Sequence, residues 1–456
     1  MDSFDSYGNA EFGDERLSKR LPRLLAQLSR KPESNISASC QDPYQAKAVY
    51  RFVGNDDVSL EAIAQITHEV TVDRITQAKP SVVLALQDTT ELNYSSLKAT
   101  SGLGTIASKD SSRGIHLHSA IAVSEEGEMF GILAQKQWVR PVEEFGKTDD
   151  TRAKTPIEGK ESFKWLEALE DSGDSIPEAT SVVHVCDREG DVFEFFSKAE
   201  EENTQYLCRV RHDRKVDDEN ETNVISTFVS SLPVAETITV HVPRDSHTQR
   251  EARDAELEVK FGKCKVLKPK SLAKHKQLPE SMEVYIVSAA EVDSDNKEKI
   301  FWQLITNVPT DTLEDALTRI AWYTQRWKIE TFHRTLKSGC KVEKLQSDSA
   351  DKLMKLIAIY SIIALQVMTF CYVARARPDQ SCEIHIAEED WKILYKVAKK
   401  TKKLPETAPT IHEAVVMIAK LGGFLARKSD GAPGVTVIWR GLTSFYTILD
   451  AVQFLA

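Results

Sequence analysis

Tyr323 to Lys337 reads YTQRWKIETFHRTLK. The stretch has no Gly or Pro, and its apolar residues recur at helical spacing, so a helix is expected. At about 100° per residue, Tyr323, Arg326, Glu330 and Lys337 fall at roughly 0°, 300°, 340° and 320°, an arc of about 60°. By the same count Trp322, Ile329, Phe332 and Leu336 fall on the other side of the helix. One face can pack on a core, while the other gathers a carboxylate, a guanidinium, an ammonium and a phenol. Such a face is either solvated, with Arg326 and Glu330 paired at i,i+4, or a site for an anionic substrate. In the second case Glu330 holds a metal ion and the cations and phenol hold phosphate.

Outward from that stretch, Leu356–Ala374 is uncharged and flanked by Lys355 and Arg375, long enough to span a membrane. It also carries Ser361, Gln366 and Thr369 and continues a helical region, which favours a buried core helix. Beyond Ala374 a helical region is expected, with KVAKKTKK (396–403) as a loop and Gly422–Gly423 punctuating the helix that begins at IHEAVVMIAK.

Upstream, SVVLALQD (81–88) and TSVVHVCD (180–187) are continuous apolar runs that read as buried strands, each ending in an aspartate. IHLHSAIAVS (115–124) and MFGILAQKQWV (129–139) read as a hairpin. SFKWLEALEDS (162–172) and DVFEFFSKAE (191–200) read as helices, and QYLCRVRHD (205–213) as a further strand. These elements make an α/β domain over 71–374, into which residues 214–300 insert a β-rich segment before the strand FWQLITN (301–307). Residues 1–70 read as a helical domain, with Arg16, Lys19, Arg20 and Arg23 beside a stripe of Leu17, Leu21, Leu24, Leu25 and Leu28. Residues 375–456 form a second helical domain.

The chain is 41% hydrophobic and 28% charged, a globular composition without low-complexity tracts. Its seven cysteines lack any Cys-x-x-Cys pair, which points to reduced thiols and a cytoplasmic setting, not a disulfide or zinc framework. The N-terminal residues lack the basic and apolar regions of a signal peptide. A net charge of −10 argues against a nucleic-acid partner only if charge is evenly spread. It is not: basic residues cluster at 16–31, 209–215 and 396–403, and acidic ones at 141–150, 199–221 and 291–298.

Asp88, Asp187 and Glu330 are the candidate constellation. Converging carboxylates bind hard divalent cations such as Mg²⁺, and two such ions about 4 Å apart serve phosphoryl transfer. A lone Asp at a strand end is more often a turn or cap residue, so the triple carries more weight than its parts.

These motifs resemble the insertion-sequence-four family of cut-and-paste DNA transposases, of the transposon-five type. The family signature Tyr-x2-Arg-x3-Glu-x6-Lys is met by Tyr323, Arg326, Glu330 and Lys337. LALQDTTELNY carries Asp88, HVCDREGDVFEF carries Asp187, and GDERLSKRL, AVYRFVGNDDVS, GKESFKWL and IAKLGGF are shared as well. The resemblance implies an RNase H-like core with a β-rich insertion, a DNA-end-binding domain at 1–70 and a dimerisation domain at 375–456. It also implies two Mg²⁺ (or Mn²⁺) ions held by Asp88, Asp187 and Glu330, strand nicking, hairpin formation and opening, and transfer into target DNA by a homodimer. Tyr323, Arg326, Lys337 and Arg209 would hold the DNA end, Trp302 would stack on a flipped base, and Arg20, Arg30 and Arg51 would bind the transposon end. Lys31 departs from an aromatic residue of a relative, and the β-rich insertion and 375–412 match the family poorly. Trp327 is expected to serve packing or orientation, and His333 has no assigned role. A catalytically silent DNA-binding regulator and a purely hydrolytic nuclease are the competing functions.

Overall fold

The computed structural model describes residues 4–32, 35–40, 42–106, 112–140, 156–173, 175–218, 221–242, 252–292, 299–427 and 430–455. The acidic cluster at 141–150 and most of that at 291–298 lie outside the described residues. The protein is mixed α/β, with a large sheet and many helices. The chain divides into two compact units: one comprises 1–80, 89–146 and 328–456, the other 81–88 and 147–327.

In the first unit the N-terminal helices form as their caps dictate. Asp14, Asp42 and Ser59 each accept a backbone N–H of the first turn (Arg16, Gln45 and Ala62, each 2.9 Å). They open the helices Glu15–Ser18, Pro43–Val53 and Leu60–Ala78. The expected leucine stripe lies mainly on helix Arg20–Ser29, where Leu21, Leu24, Leu25 and Leu28 are fully buried. Strand β1 (Val82–Asn93) enters this unit at Thr89. The short β2 (Gly104–Thr105) pairs with β3 (Arg113–Ser124), which forms the expected hairpin with β4 (Met129–Trp138). Helix Leu60–Ala78 lies so close to β4 that a Cβ on Gly131 would stand 1.9 Å from Thr71 Oγ1. Thr71 Oγ1 instead donates to the Ile132 carbonyl at 2.9 Å.

The apolar run belongs to helix Ala350–Ala376 and is 89% buried over its most hydrophobic window. Gln135 and Gln137 of β4 donate to Ser361 Oγ and the Met354 carbonyl, at 3.1 and 3.0 Å. A core helix is therefore observed, as its internal polar residues suggested. Helices Glu388–Lys399, Ile411–Leu421 and Val435–Leu455 complete the unit. The KVAKKTKK segment, expected as a loop, is helical through Lys399 and turns only at Lys400, which takes φ 51°.

In the second unit, β1 pairs in parallel with β5 (Ser181–Cys186), and β5 with β6 (Gln205–Arg209). Beyond β6 the sheet turns antiparallel. β7 (Lys215–Asp218), β8 (Glu221–Val224), β9 (Glu236–Val242), β10 (Arg253–Leu267) and β11 (Ser281–Glu291) build the expected β-rich segment. β12 (Phe301–Thr306) joins β11 to β6. The segment thus extends the sheet edge instead of forming a separate layer. Trp165, Phe193, Phe195, Phe196 and Tyr206 pack a core against its face. All seven cysteines are free thiols, six of them buried.

Candidate active site

The pairing register of the second unit aligns three candidate residues. Val82 to Leu86 pair in order with Ser181 to Val185, so two residues further on Asp88 stands level with Asp187. Val183 to Cys186 pair with Gln205 to Cys208, which sets Asp187 level with Arg209. Neighbouring strands lie about 4.8 Å apart, so the backbones of Asp88, Asp187 and Arg209 stand in one row across three parallel strands. Both aspartates are half-buried.

Each member has a local reason to be there. Asp187 follows the last residue of β5 and caps the turn Arg188–Gly190, its Oδ1 accepting the Glu189 N–H at 2.8 Å. Asp88 was expected at a strand tip; β1 instead continues five residues beyond it to Asn93, so Asp88 is an interior residue of a long strand. Arg209 closes β6 and donates from Nη2 to the Phe301 carbonyl at 2.8 Å. Just below the row, Gln87 Nε2 and His184 Nδ1 join β1 to β5 at 2.9 Å. Burial pushes His184 down to about 3, so it is a neutral brace and not a base. No sequence signal set His184 apart from an ordinary core residue.

Above the row stand Trp302, Tyr323 and Arg326. The Trp302 and Tyr323 rings meet edge to face, 5.8 Å between centroids at 66°. The Arg326 guanidinium lies 5.9 Å from the Tyr323 ring centre and 6.0 Å from that of Trp327. Burial raises the Tyr323 phenol, and the nearby Arg326 and Arg209 partly offset that shift. The Cys186 thiol, well raised by burial, feels Asp187, Arg326 and Asp88 together. Within this unit, then, Asp88, Asp187, Arg209, Trp302, Tyr323 and Arg326 form one neighbourhood. Trp327 is 62% exposed and so is not a packing residue; its ring flanks Arg326.

The signature helix has a break in its regularity. It runs Leu313–Gln325 and Trp327–Arg334, then widens to a π-helix at Thr335–Gly339, where the Cys340 N–H reaches the Thr335 carbonyl at 2.9 Å. The regular helical projection consequently holds to Arg334 and not to Lys337, because a π turn takes an extra residue. Ile329, Phe332 and Leu336 are fully buried, as the apolar face predicted. Tyr323 is buried too, and Arg326, Glu330 and Lys337 are half-buried. The face is therefore only partly open to water.

Glu330 and Lys337 belong to the first unit. There His333 is buried, and burial with the nearby Lys337 holds it down to about 3. It is neutral at working pH. Lys328 was missed from sequence: its ammonium lies 5.0 Å from the Tyr372 ring centre, Arg375 lies 5.0 Å from the same ring, and burial lowers it to about 8. Of the three expected end-binding residues, Arg51 is exposed and Arg20 half-buried. Arg30 is tied to Asp450 of the last helix at 2.5 Å.

The donor chemistry suits a hard divalent cation, since two adjacent carboxylates offer the oxygen ligands that Mg²⁺ takes. Among the described residues no three His, Cys, Asp or Glu side chains make a ready cage; the second unit supplies the aspartate pair.

Three family models match the chain in sequence. A transposase DNA-binding model covers residues 5–58, a transposase DDE domain 166–366, and a transposase Tn5 dimerisation domain 362–455. The protein is a DDE-type transposase, an enzyme of metal-dependent phosphoryl transfer on DNA with DNA-binding and dimerisation regions. Within that class the chain belongs to the Tn5-type transposases. Asp187 and Glu330 fall inside the DDE match and Asp88 precedes it, so for Asp88 the strand register supplies the argument.

Proposed function

We propose that the protein is a cut-and-paste transposase that nicks DNA at transposon ends, forms and opens a hairpin, and transfers the freed ends into target DNA. The observation that carries this reading is the row of Asp88, Asp187 and Arg209 across three parallel strands, with Arg326 and Tyr323 beside it. Asp88, Asp187 and Glu330 are the proposed ligands of Mg²⁺, two ions in all, for which Mn²⁺ can substitute. When bound, such ions activate the attacking oxygen and stabilise the leaving one.

The chain's own residues do the positioning. Arg326 and Arg209 offer planar forks to the phosphates around the scissile bond, and Lys337 offers a point charge. Tyr323 orients Arg326. Trp302, held edge-on to Tyr323, is an aromatic platform for a base taken out of the stack. Arg20, Arg30 and Arg51 are proposed to hold the transposon end, which requires Arg30 to leave Asp450. The fold reading is an RNase H-like core over 71–374, carrying the β-rich insertion. A DNA-end-binding domain at 1–70 precedes it and a dimerisation domain at 375–456 follows it, the active form being a homodimer on DNA. Such an enzyme works in the bacterial cytoplasm, at the nucleoid.

A strand-transfer assay with pre-cleaved ends tests this against a purely hydrolytic nuclease. Joined products with Mg²⁺, and none with EDTA, are expected. Cleavage without any joining identifies the nuclease, and end binding without either reaction identifies a silent regulator.

A further inference from the structure

Five lysines fall within the eight residues 396–403 (Lys396, Lys399, Lys400, Lys402 and Lys403), in a chain of net charge −10. All five are exposed, and among the described residues none of them makes an ion pair. Other helical lysines of this unit do, among them Lys352 with Asp348, Lys355 with Asp351 and Lys392 with Glu388. The helix macrodipole favours cations in a last turn, which accounts for Lys396 and Lys399 but not for the three lysines beyond the helix.

The turn that carries them is defined. Trp391 and Leu394 anchor the helix in the core, the Thr401 N–H reaches the Lys396 carbonyl at 3.1 Å, and Lys400 adopts φ 51°. The Lys403 N–H donates to Thr401 Oγ1 at 3.1 Å. The charges therefore sit on a folded corner, all facing water, with the acidic residues Glu388, Glu389 and Asp390 at the opposite end of the helix.

We propose that this corner is a second DNA-contact surface, lying outside the stretch matched as DNA-binding, which grips the phosphates of a duplex without reading its sequence. Lysine suits that task, since a compact ammonium offers charge without the planar fork that reads guanine. The partner is duplex DNA lacking terminal repeats, as a target is; this identity rests on the transposase reading, whereas the polyanion surface does not.

The test uses the full chain in EDTA, so that no chemistry intervenes. Binding of a random-sequence duplex is measured across a KCl series for the wild type and for Lys399→Gln/Lys400→Asn/Lys402→Gln/Lys403→Gln; asparagine suits the left-handed position. Each lost phosphate contact lowers the slope of log K against log salt by about 0.9. A slope shallower by roughly 2–4 and at least about tenfold weaker binding are expected, with Tm unchanged and the corresponding arginine variant retaining the wild-type slope. An unchanged slope overturns the proposal, as does weakened binding to vesicles of anionic lipid with DNA binding unaffected. Either result leaves the strand-transfer outcome, and with it the catalytic reading, intact.

Discussion

Asp187→Asn is expected to leave the protein folded and able to bind DNA while reducing Mg²⁺-dependent strand cleavage by at least roughly 1000-fold, about 4 kcal/mol in the barrier. Asparagine is the informative replacement because Asp187 has two jobs. Its Oδ1 accepts the Glu189 N–H and caps the turn after β5, and an amide oxygen can still do that. What the amide cannot supply is the negative charge that a divalent cation requires. Asp88→Asn should show the same loss, since the register sets the two side by side. Cleavage within tenfold of wild type, at unchanged Tm, would remove the pair from the chemistry.

Arg326→Ala is expected to cost roughly 100–1000-fold in cleavage and strand transfer, the range typical of losing one preorganised charge-stabilising donor. Its guanidinium lies by the Tyr323 and Trp327 rings and acts electrostatically on Cys186, next to Asp187. Stability should change by less than about 1 kcal/mol, because the side chain is only half-buried. Arg326→Lys should recover part of the rate, restoring charge without the bidentate fork. A collapse in Tm would instead mark Arg326 as a structural residue.

Much of this was legible in the sequence wherever burial dominates. The apolar face of the signature helix and the leucine stripe followed from periodicity and the two buried strands from continuous apolar runs, and Ile329, Phe332, Leu21 and Val183 are fully buried. The polar internal residues of Ala350–Ala376 also signalled a core helix correctly: Ser361 accepts from Gln135 of β4, and Thr369 bonds back to the Leu365 carbonyl of its own helix.

What was hidden depends on pairing and local backbone geometry. The end of β1 is hidden because Asp88 to Glu91 are polar and none is buried, which interrupts the apolar run of VVLAL before the buried Leu92. The π turn at Thr335–Gly339 leaves no compositional mark, yet it shifts the phase of Lys337. The lysine-rich segment looked like a loop although lysine is a good helix former. The Gln87–His184 brace needs the register, which no single strand encodes. The alignment of Asp88, Asp187 and Arg209 likewise came from pairing: the sequence offered two strand-end acids and could not say that their strands were neighbours.

The most direct test of the central claim is Glu330→Ala, assayed in parallel for binding and for Mg²⁺-dependent cleavage on a duplex carrying the element's terminal repeats. The prediction is unchanged specific binding with cleavage abolished, because Glu330 is the proposed third metal ligand and not a DNA-end contact. Wild-type cleavage by this variant would contradict the assignment.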